Sequence, residues 1–411
     1  MAFLYNFKST FLLWFIVCSA CGNQPKTKNT TAEVVKDSVQ ELAPIVTAAN
    51  RTSAYLPLLK GKKIAVVANP TSVIFKEHGS THLIDSLLSS EVHITKVFAP
   101  EHGFRGQVDA GEKVKDGVDT KTGLPLLSLY GKNRKPSNEY MTDIDLVLFD
   151  IQDVGVRFYT YIATLQLVME ACAENNIPVI VLDRPNPNGQ YVDGPSMLPE
   201  HIGFLGLNPI PLVYGMTIGE YATMVNGEGW LANGIKANLT VIPLENYNHT
   251  RDYHLPIRPS PNLPNDQSIL LYPSLGLFEG TNVNAGRGTE EQFQRYGASF
   301  LDSTAYNFTY TPKPNFGSKY PKEEGKLCYG KDLSNITPPR AVDLTWLIDA
   351  YTNCPDKSKF FITSGFTKHA GTTVLQKQIE DGLTAKEIAA TWKEDIASFK
   401  TIRAKYLLYK E

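Results

Sequence analysis

Four short, apolar-rich runs set what this 411-residue chain can fold into: residues 64–68, 94–99, 144–149 and 178–182. Each is strand-length, and the first, third and fourth are almost free of polar residues, as expected of strands buried on both faces. Segments of helical or loop character separate them. Leu83, Leu87 and Leu88 give residues 82–88 an apolar helical face, and Leu165, Leu167, Val168, Ala171 and Cys172 do the same for a helix beginning near Thr164. Alternation of this kind predicts an α/β fold, a parallel sheet with helices on both faces. Ligands of such sheets bind outside the carboxyl ends of the strands, so the loops there are the place to look for chemistry.

Those loops are polar. The third run stops being apolar at Asp150, and Gln152, Asp153, Gly155, Arg157, Tyr159 and Tyr161 follow within a dozen residues. The second run ends in Pro100-Glu101-His102-Gly103-Phe104-Arg105-Gly106, where glycines permit backbone conformations that aim side chains into a cleft; a solvated turn with an incidental Glu–Arg pair is the plainer reading. The polar, glycine-bearing segment 107–122 after it fits a lid or rim. The first run ends in Asn69-Pro70-Thr71-Ser72, and the fourth in a stiff loop, Asp183-Arg184-Pro185-Asn186-Pro187. Thr217 followed by Glu220 predicts a capping box opening a helix, which gives that Glu220 a structural role. Residues 253–265 form a proline-rich crossing, and the boundary between two domains is placed near residue 235. Beyond it, residues 275–290 interleave glycines with Glu279, Asn282, Arg287 and Glu290. Without a Gly-Lys-Ser/Thr ending this stretch suits a sugar or carboxylate clamp better than a phosphate loop.

The N-terminus reads as an export signal. Lys8 precedes a short apolar run from Phe11 to Val17, too short to span a membrane, and Ser19-Ala20-Cys21 is similar to a bacterial lipobox with Cys21 as the lipidated residue, although Cys18 stands where Leu or Val is usual. Residues 1–21 are thus expected to be a lipoprotein signal and residues 22–50, polar and without periodicity, a tether. The folded body takes up residues 51–235 and 236–411. Such a protein is exported and anchored by lipid to a bacterial membrane, facing the periplasm.

Several functions are disfavoured. A net charge of −2 gives no electrostatic case for nucleic acid. The first strand lacks a Gly-x-Gly-x-x-Gly, which argues against a nicotinamide or flavin enzyme. No His-Glu-x-x-His or metal-like cysteine spacing is present, and no Gly-x-Ser-x-Gly elbow marks a serine esterase. Cys172 reads as core, whereas Cys328 and Cys354 could pair in an oxidising compartment.

Taken together, Pro100-Glu101-His102-Gly103, the run 149–161, Asp183-Arg184-Pro185-Asn186-Pro187 and the pair Phe278-Glu279-Gly280-Thr281-Asn282 with Gly286-Arg287-Gly288-Thr289 resemble the signatures of the exo-β-N-acetylmuramidase family of glycoside hydrolases. The resemblance runs from about residue 55 to the C-terminus. It departs from the family at Glu291-Gln292-Phe293 and Gly297-Ala298-Ser299, where Pro-Phe after Arg-Gly-Thr and Gly-Ala-Pro are common. It implies a Rossmann-like N-terminal domain, a smaller C-terminal α/β domain and a cleft between them. It further implies release of terminal N-acetylmuramic acid from the non-reducing end of peptidoglycan fragments, without metal or organic cofactor.

Glycoside cleavage needs an acid for the leaving oxygen and a second group at the anomeric carbon. Glu101 is the candidate acid, and Asp150 and Asp153 compete for the second role; inverting, retaining and substrate-assisted mechanisms stay open. Arg105, Arg157 and Arg287 are candidates for the lactyl carboxylate that sets muramic acid apart, because a guanidinium binds a carboxylate bidentately. Tyr159 or Tyr161 would stack on the sugar or pack in the core. Asn69, His102, Gln152, Asn186, Glu279 and Asn282 complete the candidate binding residues. The rival reading is a lipoprotein that binds wall fragments without cleaving them.

Overall fold

The computed structural model describes residues 43–101, 103–105 and 116–411. The signal and lipobox Cys21, most of the tether, His102 and residues 106–115 of the expected rim lie outside the described residues. Ala43–Glu411 forms one compact unit.

In chain order the first part contains α1 (Thr52–Leu59), β1 (Ile64–Ala68), a hairpin of β2 (Val73–Phe75) and β3 (Ser80–His82), and α2 (Leu83–Ser89). Then come β4 (Ile94–Ala99), β5 (Gly117–Val118), β6 (Pro125–Ser128), β7 (Leu146–Asp150), α3 (Tyr161–Glu174), β8 (Val179–Leu182), α4 (Ile218–Gly227) and β9 (Leu239–Ile242). These strands, the hairpin apart, make a seven-stranded sheet in the order β5-β6-β4-β1-β7-β8-β9. Every pairing is parallel except that of β5 with β6. Counted along the chain, the six parallel strands lie 3-2-1-4-5-6, the doubly wound arrangement of dinucleotide-binding folds. The strand β9 lies beyond residue 235, so the sheet continues past the boundary drawn from the sequence.

The apolar runs explain the layering. Alternate strand residues face opposite sides. Val67, Phe98, Val147, Phe149 and Val181 join one core with Leu165 and Val168 of α3 and Tyr221 and Val225 of α4. Val66, Val97, Leu148 and Ile180 join the other with Tyr55 of α1 and Leu83 and Leu87 of α2. The helix α4 opens with the expected capping box between Thr217 and Glu220.

The second part contains α5 (Asp266–Leu275), β10 (Arg295–Ala298), β11 (Phe308–Tyr310) and β12 (Cys328–Asp332). Five helices follow: α6 (Thr345–Thr352), α7 (Thr363–Ala370), α8 (Val374–Glu380), α9 (Ala385–Ala390) and α10 (Lys393–Arg403). Its three strands form an antiparallel sheet, β10-β12-β11. Phe278, Tyr296, Phe360 and Phe366 from this part belong to the same apolar core as α3 and α4, which is why 43–411 is a single unit. Cys328 and Cys354 do not pair. Both are buried free thiols, with Cys328 Sγ against the Lys326 carbonyl and Cys354 Sγ against that of Asp356.

Candidate active site

In a 3-2-1-4-5-6 sheet the ligand crevice opens where β1 and β7 part. Here the chain fills that crevice itself. The Ser72 hydroxyl donates to the Asp150 carbonyl, and the Gln152 amide N–H donates to Thr71 Oγ1 at 3.0 Å. Asn69 Oδ1 accepts from both the backbone and the hydroxyl of Thr71. Gln152 Nε2 donates to the carbonyls of Asp153 and Pro185. Asn69 and Gln152 therefore tie loops together, and neither lines the cavity described below.

Asp150 is fully buried, and Arg184 Nε and Nη2 donate to its two oxygens at 2.6 and 2.8 Å. It is bound bidentately at the end of β7 and does not line the cavity described below. Asp153 is also buried: its Oδ2 accepts from the Tyr214 hydroxyl and the Gly155 N–H, and its Oδ1 is unpartnered among the described residues. Burial raises the Asp153 carboxyl from its ordinary 3.8 to about 6. The folded state thus holds this proton more tightly than the unfolded chain. That stabilisation is complete below pH 4 and is lost as pH rises through about 6. A shift of this size is worth about 3 kcal/mol. In Asp153→Asn this dependence should vanish, so the stability difference between wild type and variant, read by urea unfolding, should change by about 2 kcal/mol between pH 4 and pH 7. A constant difference would show that the carboxyl does not titrate with folding.

Two of the three candidate arginines are also engaged. Arg105 bridges Asp85 and Asp119 at 3.0 and 2.9 Å, holding residue 119 to α2. Arg157 is 1 % exposed and donates to four carbonyls, those of Pro195, Ile210, His369 and Ala370. It pins α7 to the first part of the chain, and burial lowers its pKa to about 9. Asn186 donates to the Met216 carbonyl and accepts from the Asn188 N–H. Asn282 is exposed and donates to the Lys359 carbonyl. None of these four lines the cavity described next.

That cavity lies at the carboxyl end of β4, with about 680 Å³ of empty space counted together with its open mouth. Glu101, two residues beyond β4, lines it and is half-buried. Thr160 Oγ1 donates to Glu101 Oε2 at 3.3 Å, and the Tyr161 hydroxyl donates to its carbonyl at 3.2 Å. Burial and the Glu101 carboxylate push the nearby Tyr130 hydroxyl up to about 12, so it stays protonated. Thr160 precedes α3, and Tyr161 is its first residue. Tyr159 and Tyr161 meet edge to face at 4.8 Å and form one wall, with the Tyr159 hydroxyl donating to the Pro259 carbonyl.

The facing wall comes from the second part. Glu279 sits on the short 3-10 turn Gly276–Gly280 after α5. A Cβ at Gly280 would lie 2.3 Å from Phe366 Cα, so only glycine lets α7 pack on this turn. That packing brings His369 of α7 to the cavity. Arg287 Nη1 donates to Glu279 Oε2 at 2.9 Å, and its Nη2 reaches the Gly317 carbonyl at 3.3 Å. Its buried Nε has no partner among the described residues. Burial raises the Glu279 carboxyl, but Arg287 and Lys322 outweigh it and hold the group below the usual range. Burial also lowers His369, whose Nδ1 donates to the Gly365 carbonyl at 2.9 Å. The ring is therefore neutral near pH 7, with Nε2 as its acceptor.

The cavity thus gathers Glu101, Tyr159, Tyr161, Glu279 and Arg287 from the sequence candidates. It adds Thr160, which lies within the run 149–161 without having been singled out, and Ser260, Asn262, Tyr272 and His369, which no family-like motif marked. Ser260 and Asn262 sit in the proline-rich crossing, whose pattern of Pro-Ser-Pro-Asn was the one available hint.

The profile for the N-terminal domain of exo-beta-N-acetylmuramidase NamZ matches residues 64–267, and the profile for its C-terminal domain matches residues 270–409. The chain belongs to this family. A relative from Bacillus subtilis (strain 168), the peptidoglycan beta-N-acetylmuramidase NamZ, is 37 % identical over 97 % of this chain and 98 % of its own. Two solved structures of DUF1343 family proteins from Bacteroides fragilis NCTC 9343 are similar. One has a TM-score of 0.82 at 44 % identity, covering 90 % of this chain and all of its own; the other has 0.72 at 28 %, covering 89 % and 99 %. The fold of this chain, an α/β sheet domain joined to a smaller domain, is thus shared with solved relatives, and its cavity is lined by residues from both matched regions.

Proposed function

We infer that this chain is an exo-acting glycoside hydrolase that releases N-acetylmuramic acid from the non-reducing end of peptidoglycan fragments. The observation that carries the reading is the cavity itself. It sets a half-buried carboxyl, Glu101, opposite a guanidinium, Arg287, within a NamZ family member whose relative is named as a peptidoglycan beta-N-acetylmuramidase. Glu101 is assigned the proton donor for the leaving oxygen. Thr160 and Tyr130 beside it orient the carboxyl. Among the described residues Glu279 is the other carboxyl on the cavity wall. It anchors Arg287, whose remaining N–H groups take the lactyl carboxylate.

Arg287→Lys keeps a charge for Glu279 but removes the planar fork. The variant is expected to raise KM for a muramic acid substrate about tenfold or more, since hydrogen bonds to charged groups contribute about 1.5–3 kcal/mol. Its KM for the matching glucosamine substrate, which lacks the lactyl group, should hardly change. Equal losses on both would assign Arg287 to the scaffold.

The same proposal extends to location. The chain is exported and held at a bacterial membrane, facing the periplasm, by a lipid on Cys21, a reading supported by Lys8, the apolar run from Phe11 to Val17 and Ser19-Ala20-Cys21. Metabolic labelling with a fatty-acid analogue should mark the wild type and not Cys21→Ser; label on both would remove Cys21 from the reading.

A further inference from the structure

We propose that the turn at residues 315–320 is a platform for the sugar ring that follows the terminal one, with Phe316 and Tyr320 as its stacking faces. The proposal rests on the functional reading above and adds to it a second carbohydrate site outside the cavity. The turn is rigid. Asn315 and Ser318 exchange both backbone hydrogen bonds, at 3.0 and 3.1 Å, and the Asn315 side chain donates to the Thr289 carbonyl. It is also fixed to the cavity wall. The Gly317 carbonyl accepts from Asn262 Nδ2 at 2.7 Å and from Arg287 Nη2 at 3.3 Å, and both donors line the cavity.

Two large rings are nonetheless left in solvent on this fixed turn: Phe316 is 56 % exposed and Tyr320 89 %. Exposed apolar side chains are ordinary when scattered; here Phe316 sits on the closed turn and Tyr320 two residues past it, next to residues that line the cavity. A pyranose ring offers a face of C–H groups that packs flat on an aromatic ring. An exo-acting cavity encloses the terminal sugar and leaves the next one at its rim, where this turn sits. The ligand is therefore the neutral pyranose on the leaving side of the cleaved bond.

The test compares Phe316→Ala, Tyr320→Ala and the double variant with wild type on two substrates. One is a muramic acid–glucosamine disaccharide, and the other is a muramyl fluoride, whose leaving group has no ring. Both side chains are exposed, so truncation leaves the core intact. The double variant is expected to lose about tenfold in kcat/KM on the disaccharide and less than about twofold on the fluoride. Unchanged kcat/KM on the disaccharide, or equal losses on both substrates, would overturn the platform while leaving the functional reading in place. A wild type that cleaves neither substrate would overturn the functional reading, and the platform with it.

Discussion

Glu101→Gln is expected to lower turnover of a muramic acid–glucosamine disaccharide by about 10²–10⁴-fold, the usual contribution of a positioned acid–base group. The amide has the shape of the carboxyl, and its oxygen can still accept from the Thr160 hydroxyl, 3.3 Å away in the wild type. What it cannot do is deliver a proton to the leaving oxygen. The loss should therefore depend on the leaving group. A sugar alkoxide needs the proton, whereas fluoride leaves with far less help, so the fluoride should lose much less. A role in holding the cavity open would reduce both substrates alike. Unchanged turnover of the disaccharide by a folded variant would take Glu101 out of the chemistry.

The second large effect is on stability. Asp150→Ala is expected to cost about 3–5 kcal/mol, the typical penalty for removing one member of a buried ion pair. Asp150 is fully buried and Arg184 is 2 % exposed. With the carboxylate gone, the guanidinium keeps the Val73 carbonyl, at 3.1 Å from Nη2, but loses the anion that balanced its buried charge. Thermal unfolding should shift down by roughly 4–6 °C. Replacing the pair together, Asp150→Leu with Arg184→Met, should recover much of the loss, because the stranded charge is removed as well. If Asp150→Ala were as stable as wild type but inactive, the carboxylate would be acting on substrate rather than holding the loops.

These two carboxyls show what the sequence could and could not convey. Both stand at the ends of parallel strands beside loops rich in polar residues, and from the sequence both are candidates for the two catalytic roles. The apolar runs that place them were legible because strands buried on both faces need continuous apolar residues. The start of α4 was legible because a capping box is local, with Thr217 and Glu220 three residues apart. The fate of a buried polar group is not local. Asp150 meets Arg184 across 34 residues, and Arg157 meets the carbonyls of His369 and Ala370 more than 200 residues away. The same holds for the far cavity wall, where Asn262, Tyr272 and His369 come from three separate elements. Chemistry-bearing residues in this chain outnumber those that reach the cavity, because a fold with long polar loops at the strand ends must use many of them to satisfy its own backbone.

The central claim is the identity and the position of the sugar removed. The most direct test incubates the protein with peptidoglycan saccharides that begin with N-acetylmuramic acid and carry an isotope label at the reducing end, and follows all products by mass spectrometry. The account predicts free, unlabelled N-acetylmuramic acid and a labelled remainder shortened by that one sugar. Internal cleavage, release of the labelled reducing-end sugar, or tight binding of fragments that stay whole would contradict it.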